Sequence, residues 1–483
     1  MSLSLALNSA RSSLFATSTQ IDASARNIAN AGNSGASRKI AVTTTVASGE
    51  AQVVAVSRAS DSALYARMID ATSSAAGSQA RLDGLNRLKN GIGDTTGETS
   101  PAGRLGALGD ALIQFANAPD DPALAVRTLT SAQDLATALS GAAKTVHTVR
   151  TDADAAMARS VDRVNDLLRQ FGVENEAVIT APAGADVTDA LDRRDSVLAS
   201  LAEEIGVTAV TRGNADMVLY TDGGATLFET KPRAVSFQTS PILTAGQSGR
   251  AVMVDGVSVT GDDATMKLRS GRLAGLAELR DRTAPTFEKQ LDAMALGLVE
   301  SFAEADQSGA GLPAAAGLFT AGSAAVPTDA TGLAARLAVN PAVDPAQGGS
   351  LTLLRDGGIN GVAYVANSVG GASFSGHLVA RGEALQAVRG FDAATNLPSP
   401  STLADFAAAS TGWLEGQRQT VAVRADSETA LLSYASTALS NATGINMDEE
   451  YARQLDLERS YQASSKLIGV INGLYEALFR VVG

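Results

Sequence analysis

The sequence predicts an α+β multidomain protein in which the terminal helices pair as an α-helical coiled coil. A long-helix bundle forms a rod domain, and β-rich outer domains are inserted into it. Apolar residues at heptad spacing occur at both ends of the chain, and long stretches with helical periodicity lie between them. Short strand-like runs around Asp-Gly turns interrupt these stretches. The 483 residues are enough for about three domains.

The N-terminal segment carries a heptad pattern with very little charge around it. Ser, Thr, Ala and Asn fill most of the positions beside the seam, so this helix is marginal in isolation and needs a partner. One row of the seam consists of Leu7, Leu14, Ile21 and Ile28, and the companion row of Leu3, Ala10 and Thr17.

The C-terminal segment supplies the expected partner for this helix. Its first turn is acidic, as the helix dipole favours (Asp448, Glu449 and Glu450). An ordinary C-terminal helix packed on a core would show a similar pattern, but two heptad helices at opposite ends of one chain favour pairing of the termini. The two rows are Met447, Gln454, Tyr461, Ile468, Tyr475 and Val482, and Leu457, Ser464, Ile471 and Leu478.

Helices and strands alternate between the two termini. The helix at 188–205 is expected to carry Asp192, Arg193, Arg194 and Asp195 on its exposed side. Helices are predicted at 60–88, 104–117, 122–171, 188–205, 272–305 and 403–439, and the long ones at 128–171, 272–305 and 403–439 should pack in one bundle. Hairpins are predicted at 217–230 and 251–260, and strands at 351–355 and 362–366.

The composition excludes several kinds of chemistry. The chain has no Cys and two His, so Cys-ligated zinc and His-rich metal sites are not expected. No nucleotide-binding loop, zincin motif or nucleophile elbow is present, and Ser375 with His377 lacks a recognisable third member of a catalytic triad. The sequence therefore predicts no catalytic residues, no cofactor and no metal.

Charge and hydropathy narrow the possible partners and compartments. A net charge of −13 disfavours binding to nucleic acid or to anionic membranes, and no apolar run approaches the ~18 residues of a membrane span. Residues 1–31 have no apolar core of a Sec signal peptide. A cytosolic protein and a protein exported by another route both remain compatible with this.

One motif is similar to a known signature. Residues 25–38 resemble the ANNIANANTPGYSR signature that follows the first helix of flagellar rod, hook and hook-associated proteins. The Pro and Tyr of that signature are replaced by Ser34 and Ala36, so the turn is expected to be less rigid here. The matching residues are Asn27, Ile28, Ala29, Asn30, Gly35, Ser37 and Arg38.

Three further stretches narrow the resemblance to the hook-associated protein 1 family. Residues 189–195 continuing to 205–207 resemble the DLLDQRD…LS…GV stretch, and 270–276 with 279–281 resemble the GG-LAGLL-FRD helix. Residues 444–450 followed by 461–464 resemble the GVNLDEE…YQASAK ending. Rod and hook proteins share the YQA element but lack the middle block. The resemblance covers most of the chain and is weakest at about 312–400.

The resemblance implies a structural protein of the bacterial flagellum, located outside the cell at the hook–filament junction. Members are exported unfolded by the flagellar type III apparatus with an export chaperone, and they contact hook protein, the next hook-associated junction protein and copies of themselves. The predicted assembly interface comprises Leu7, Leu14, Ile21, Asn27, Ile28, Asn30, Leu457, Tyr461, Ile468, Ile471, Tyr475 and Leu478.

The expected domain organisation follows from the patterns and the resemblance together. A rod or hook axial protein is the alternative within the same superfamily, and a wall or glycan hydrolase is the alternative from another class, since 51 acidic residues leave room for a carboxylate pair. The predicted domains are 1–31 with 447–483 (terminal coiled coil), 32–172 with 271–306 and 402–446 (helical rod-like domain), 173–270 (β-rich insertion), and 307–401 (Gly/Pro-rich, β-containing outer region).

Overall fold

A computed structural model describes residues 3–45, 50–92 and 99–482 of the chain. Long helices dominate it, and the long helices predicted from the sequence are present, apart from an interruption in the one predicted at 272–305. The helices are α1 (Leu3–Asn30), α2 (Ser62–Ile92), α3 (Pro101–Asn117), α4 (Pro122–Ile179), α5 (Thr188–Glu204), α6 (Arg272–Glu278), α7 (Ala284–Ser301), α8 (Thr352–Asp356), α9 (Gly376–Gln386), α10 (Leu403–Thr443) and α11 (Met447–Val482).

The strands form small antiparallel sheets. The first is a hairpin of β1 (Lys39–Thr45) and β2 (Ala51–Arg58), which the sequence analysis did not predict. Two three-stranded sheets follow in the orders β3-β4-β5 and β6-β7-β8, and β9 pairs with β10. The remaining strands are β3 (Val207–Thr211), β4 (Met217–Thr221), β5 (Thr226–Phe228), β6 (Val235–Ser236), β7 (Met253–Val254), β8 (Val257–Ser258), β9 (Phe319–Thr320) and β10 (Ala338–Val339).

Helix α4 is the centre of the hydrophobic core. It has 58 residues, begins at the N-cap Asp121, and carries buried residues at helical spacing along its whole length. Helices α2, α3, α5, α6 and α7 all contact it. Near its C-terminal end, the ring of Phe171 meets that of Phe228 on β5 edge to face, with centroids 5.1 Å apart. This core joins the long helices to the sheet formed by β3, β4 and β5.

The predicted bundle of three long helices takes a modified form. Helix α7 contacts both α4 and α10, but α10 packs chiefly along α2. The helix predicted at 272–305 is also interrupted, because residues Leu279–Thr283 form a π-helical segment between α6 and α7. Its buried Arg280 donates a hydrogen bond to Asp154 of α4 at 2.5 Å, which ties this segment to the core.

The prediction of strands at 351–355 and 362–366 is wrong. The first stretch is the short helix α8, and the second is a 3₁₀ turn at Val362–Tyr364. Gly357 and Gly358 both have positive φ and turn the chain sharply after α8, and an isolated bridge pairs Gly357 with Val365. His377, expected in this strand-rich region, instead lies on α9, where burial lowers its pKa to about 4.

Within the described residues, no helix is long and apolar enough to cross a membrane, and no group of His, Asp and Glu is arranged to hold a metal ion.

Candidate functional site

Helices α1 and α11 pair with each other over most of their lengths. The side of α1 that is buried carries small and polar residues, and the Oγ atoms of Ser13 and Ser464 lie 3.3 Å apart across the pair. Small side chains let two helices approach closely, but they bury little apolar area. The buried residues of α1 are Ala10, Ala16, Thr17, Ala23, Ser24 and Asn27.

The predicted seam on α11 coincides in part with the face that meets α1. Ile471 is buried, and Leu457, Ile468 and Tyr475 are half-buried. Tyr461 and Leu478 are 40% and 55% exposed, so a large part of each side chain remains in contact with water. The side chain of Val482, the last member of one predicted row, lies outside the described part of the chain.

The predicted residues of α1 are divided between the contact and its edge. Leu7, Leu14, Ile21 and Ile28 are all half-buried, whereas Ala10 and Thr17 of the companion row are buried. Ala10 and Thr17 therefore lie at the centre of the contact, and the row of larger side chains flanks them. Leu3, the third member of the companion row, is 37% exposed. This arrangement leaves apolar area on α1 that α11 does not cover.

Helix α11 carries a second apolar stripe beside the seam. Leu467, Val470, Leu474 and Leu478 follow one another at spacings of 3, 4 and 4 residues, which places them on one face of the helix. Each of the four is at least 51% exposed, Val470 at 64%. We call these four residues the free stripe. An apolar stripe of this kind in contact with water is typical of an interaction surface.

Asn27 of the motif joins α1 to the hairpin that follows it. Its side-chain Nδ2 donates to the carbonyl of Lys39 at 2.9 Å, and its Oδ1 accepts from the N–H of Lys39 at 2.7 Å. Both bonds are buried, so Asn27 satisfies the two backbone groups at the start of β1 as a neighbouring strand would. Asn30, one turn later, is half-buried and donates to the carbonyl of Arg26 within α1.

A buried ionic cluster fixes the hairpin to α5. Asp192 accepts hydrogen bonds from Ser37 Oγ at 2.6 Å, from Arg58 Nη1 at 2.9 Å, and from Lys39 Nζ. Burial by itself raises the pKa of Asp192, but these hydrogen bonds outweigh it and lower the pKa below its ordinary value. Asp195 pairs with Arg58 at 2.6 Å, yet burial raises its pKa.

The prediction that residues 192–195 lie on the exposed side of α5 is therefore wrong. Four consecutive residues cover the whole circumference of a helix, so they cannot share one face. Asp192 and Arg194 are buried, and Arg194 donates to Asn175 Oδ1 at 3.0 Å. Arg193 is the exposed member, and it pairs with Glu174.

A second polar contact holds the start of α11 beside this cluster, and we call the contacts made by Asn27, Asp192 and Glu450 the joint. Glu450 is buried and accepts a hydrogen bond from Ser24 Oγ at 2.8 Å, while Arg38 lies 3.7 Å from its carboxylate. The N–H of Arg38 donates to the carbonyl of Thr443, the last residue of α10. The motif residues at 27–38 and the acidic start of α11 thus set the position of the helix pair relative to the body. The sequence analysis had assigned Glu450 a role in the helix dipole alone.

Comparison with known proteins gives two findings. Residues 85–319 match the family model described as the flagellar hook-associated protein FlgK helical domain. One similar solved structure is described as "The structure of the flagellar hook junction protein FlgK from Burkholderia pseudomallei", with 21% sequence identity and a TM-score of 0.43. That match covers 53% of this chain and 46% of the other, so this chain spans less than half of that protein. No curated protein gives a significant sequence match.

Proposed function

Residues 85–319 match the family model of the flagellar hook-associated protein FlgK helical domain, and on this basis we propose that the chain belongs to that family and is the structural junction protein that polymerises between hook and filament. The observation that carries this proposal is the free stripe on α11. In the isolated chain the stripe faces water, and in a packed tube of subunits it would contact the terminal helices of the next copy. Its partners are copies of itself, hook protein and the next junction protein.

Assembly in this proposal completes the folding of the terminal helix pair. Covering the exposed half of one Leu or Val side chain contributes on the order of 1 kcal/mol. Four such residues per subunit, repeated around a ring, contribute a favourable free energy of assembly that a single chain lacks. The predicted interface residues Tyr461 and Leu478, which α1 leaves exposed, belong to this intersubunit contact. Leu7, Leu14, Ile21 and Ile28 contribute the flanking contact on α1.

The joint fixes the orientation of the helix pair relative to the rest of the protein, which we call the body. Asn27, Asp192 and Glu450 are each buried and bonded to groups on another segment, so the pair is held in one orientation at the end of the body. A junction between two tubes requires such a defined orientation. In this proposal the protein is exported through the flagellar type III apparatus with a chaperone, acts outside the cell, and catalyses no reaction.

The domain boundaries are part of the proposal. The strands β3 to β8 lie within 173–270, and α8, α9, β9 and β10 lie within 307–401, which supports two outer regions inserted between long helices. The terminal pair comprises 1–31 with 447–483, and the remaining segments form the helical body.

The test compares two valines of nearly equal exposure. Val470 on the free stripe is 64% exposed and Val173 on α4 is 67% exposed. We expect Val470→Asp to melt like the parent but to fail to join purified hook fragments in a sedimentation assay, because a carboxylate then lies in the apolar contact. Val173→Asp should assemble normally.

Two results would contradict the proposal. Assembly of Val470→Asp at the parental level would mean that the free stripe is not an interface. Turnover of purified peptidoglycan by the parent protein would contradict the statement that the protein is not an enzyme.

A further inference from the structure

A basic cleft lies away from the termini, where the helices α2, α6 and α10 meet the loop that follows β8. The cleft has a volume of about 220 Å³. Helices α2 and α6 touch at its floor through two glycines, since a Cβ on Gly275 would lie 2.1 Å from the carbonyl oxygen of Gly77. The π-helical segment at Leu279–Thr283 forms one wall, and segments of this kind occur frequently at functional sites.

Positive charge is in excess in this cleft, although the chain as a whole is acidic. Of the three carboxylates that line it, Asp281 is already bound to the buried Arg280 at 2.7 and 2.8 Å and to the N–H of Gly249. The other two are Asp262 and Glu278. The basic side chains that line the cleft are Arg81, Lys267, Arg269, Arg282 and Arg424.

Arg81 is the basic residue of the cleft whose buried hydrogen-bond donors are least satisfied. Among the described residues, no carboxylate lies within 4 Å of its guanidinium, and its one side-chain hydrogen bond is from Nη2 to Gln417 Oε1 at 3.3 Å. Its Nε is buried and has no acceptor. Burial lowers the pKa of Arg81; Glu278 opposes this effect, and the nearby cations of Arg424 and Arg282 add to it.

The other cations differ in how far they are neutralised. Arg282 forms ion pairs with Asp262 at 3.5 Å and with Glu278 at 3.8 Å. Lys267 also forms an ion pair with Asp262, at 3.7 Å. Arg424 pairs with Glu428, 2.8 Å away and outside the cleft. Arg269 is exposed, and within the described ranges it has no ion pair. In the part of the chain that the structure describes, the guanidinium groups of Arg81 and Arg269 therefore have no carboxylate partner.

We propose that this cleft binds one oxyanion, held chiefly by Arg81 and Arg269. A guanidinium presents its N–H groups in a planar fork that fits the oxygens of a carboxylate, a sulfate or a phosphate. A cleft of about 220 Å³ accommodates such a group. The anion would link α2 to the loop before α6. The source is either a free anion or a side-chain carboxylate of another protein copy.

The test is isothermal titration of the full-length protein with two probes, sodium sulfate and sodium acetate, at constant ionic strength. We expect saturable binding at one site per chain. Arg81→Gln and Arg269→Gln should each weaken it by about tenfold or more, as expected for loss of a charge-assisted hydrogen bond. The matched control is Arg159→Gln, which removes an exposed arginine of α4 outside the cleft and should leave affinity unchanged.

The two probes distinguish the sources. Tight binding of sulfate with weak binding of acetate identifies a free tetrahedral anion, and comparable binding of acetate identifies a protein carboxylate. Absence of saturable binding for both probes would overturn the proposal. Equal affinity in Arg269→Gln and Arg159→Gln would also overturn it, and this comparison stands even where Arg81→Gln does not fold.

Discussion

Helices α4 and α11 are both long, but they differ in what covers them. Helix α4 is covered by five other helices, and its buried face carries Leu, Val, Met and Phe at almost every turn. Helix α11 has 36 residues, buries Ile471 and Glu450, and leaves the free stripe in contact with water. The body therefore obtains its stability within the chain, whereas the terminal pair depends on contacts that the chain does not supply. The following predictions test this difference.

The largest effect on the stability of the free chain is expected in the body. Phe171 is fully buried against Phe228, so Phe171→Ala should lower the free energy of unfolding by ~3–5 kcal/mol through lost burial and a cavity. Urea denaturation followed by circular dichroism measures this loss. Val173→Ala, two residues along the same helix at an exposed position, should change it by less than about 0.5 kcal/mol. Equal losses would mean that α4 is not the core of the body.

The second-largest loss of stability is expected at the joint. Asp192→Asn leaves the buried cation of Lys39 and the half-buried cation of Arg58 without this carboxylate, so we expect a loss of ~3 kcal/mol. The control is Asp189→Asn, because Asp189 lies 3.4 Å from Lys39 but is exposed and should contribute ~1 kcal/mol or less. A loss in Asp192→Asn no greater than in Asp189→Asn would contradict the proposed role of the joint.

The comparison of the parent with Asp192→Asn also gives a pH test. The pKa of Asp192 is lower in the folded chain than its ordinary value of 3.8, so its contribution is fully present above that value. It is lost as the pH falls through the lowered pKa. Between neutral pH and pH 3 the advantage of the parent over Asp192→Asn should therefore shrink. Burial raises the pKa of Asp195, and the charge of Asp192 contributes to that rise.

The smallest effect on the free chain is expected at the seam. Ile468→Asp removes a half-buried side chain and places a carboxylate beside α1, which costs the terminal pair ~2 kcal/mol or more. The body should still melt like the parent, while assembly onto hook fragments should fail. Ile242→Asp, at an exposed position of the body, should affect neither. Normal assembly of Ile468→Asp, or a matching loss of body stability, would count against the seam.

The long helices could be predicted because their periodicity extends over many turns. The hairpin of β1 and β2 was missed, since most of its residues are only partly buried and its sequence shows weak alternation. The strands predicted at 351–366 were wrong because the two positive-φ glycines turn the chain before a ladder can form. Backbone angles of this kind are not visible in an apolar pattern.

The candidate site was predicted in part for a related reason. Heptad spacing placed Leu457, Ile468, Ile471 and Tyr475 on the face of α11 that meets α1, because that face depends on position along one helix. The ionic cluster depends on contacts between residues more than 130 positions apart, such as Asp192 with Ser37 and Arg58. No spacing within the sequence reveals these contacts. The unpaired donor of Arg81 is a tertiary feature of the same kind.

The most direct test of the central claim is amide hydrogen exchange in the free protein and in assembled junctions. In the free protein we expect the amides of α1 and α11 to exchange at least about 100-fold faster than those in the middle of α4, because the terminal pair lacks cover. In assembled junctions both terminal helices should become protected. Protection of α1 and α11 equal to that of α4 in the dilute free protein would contradict the account.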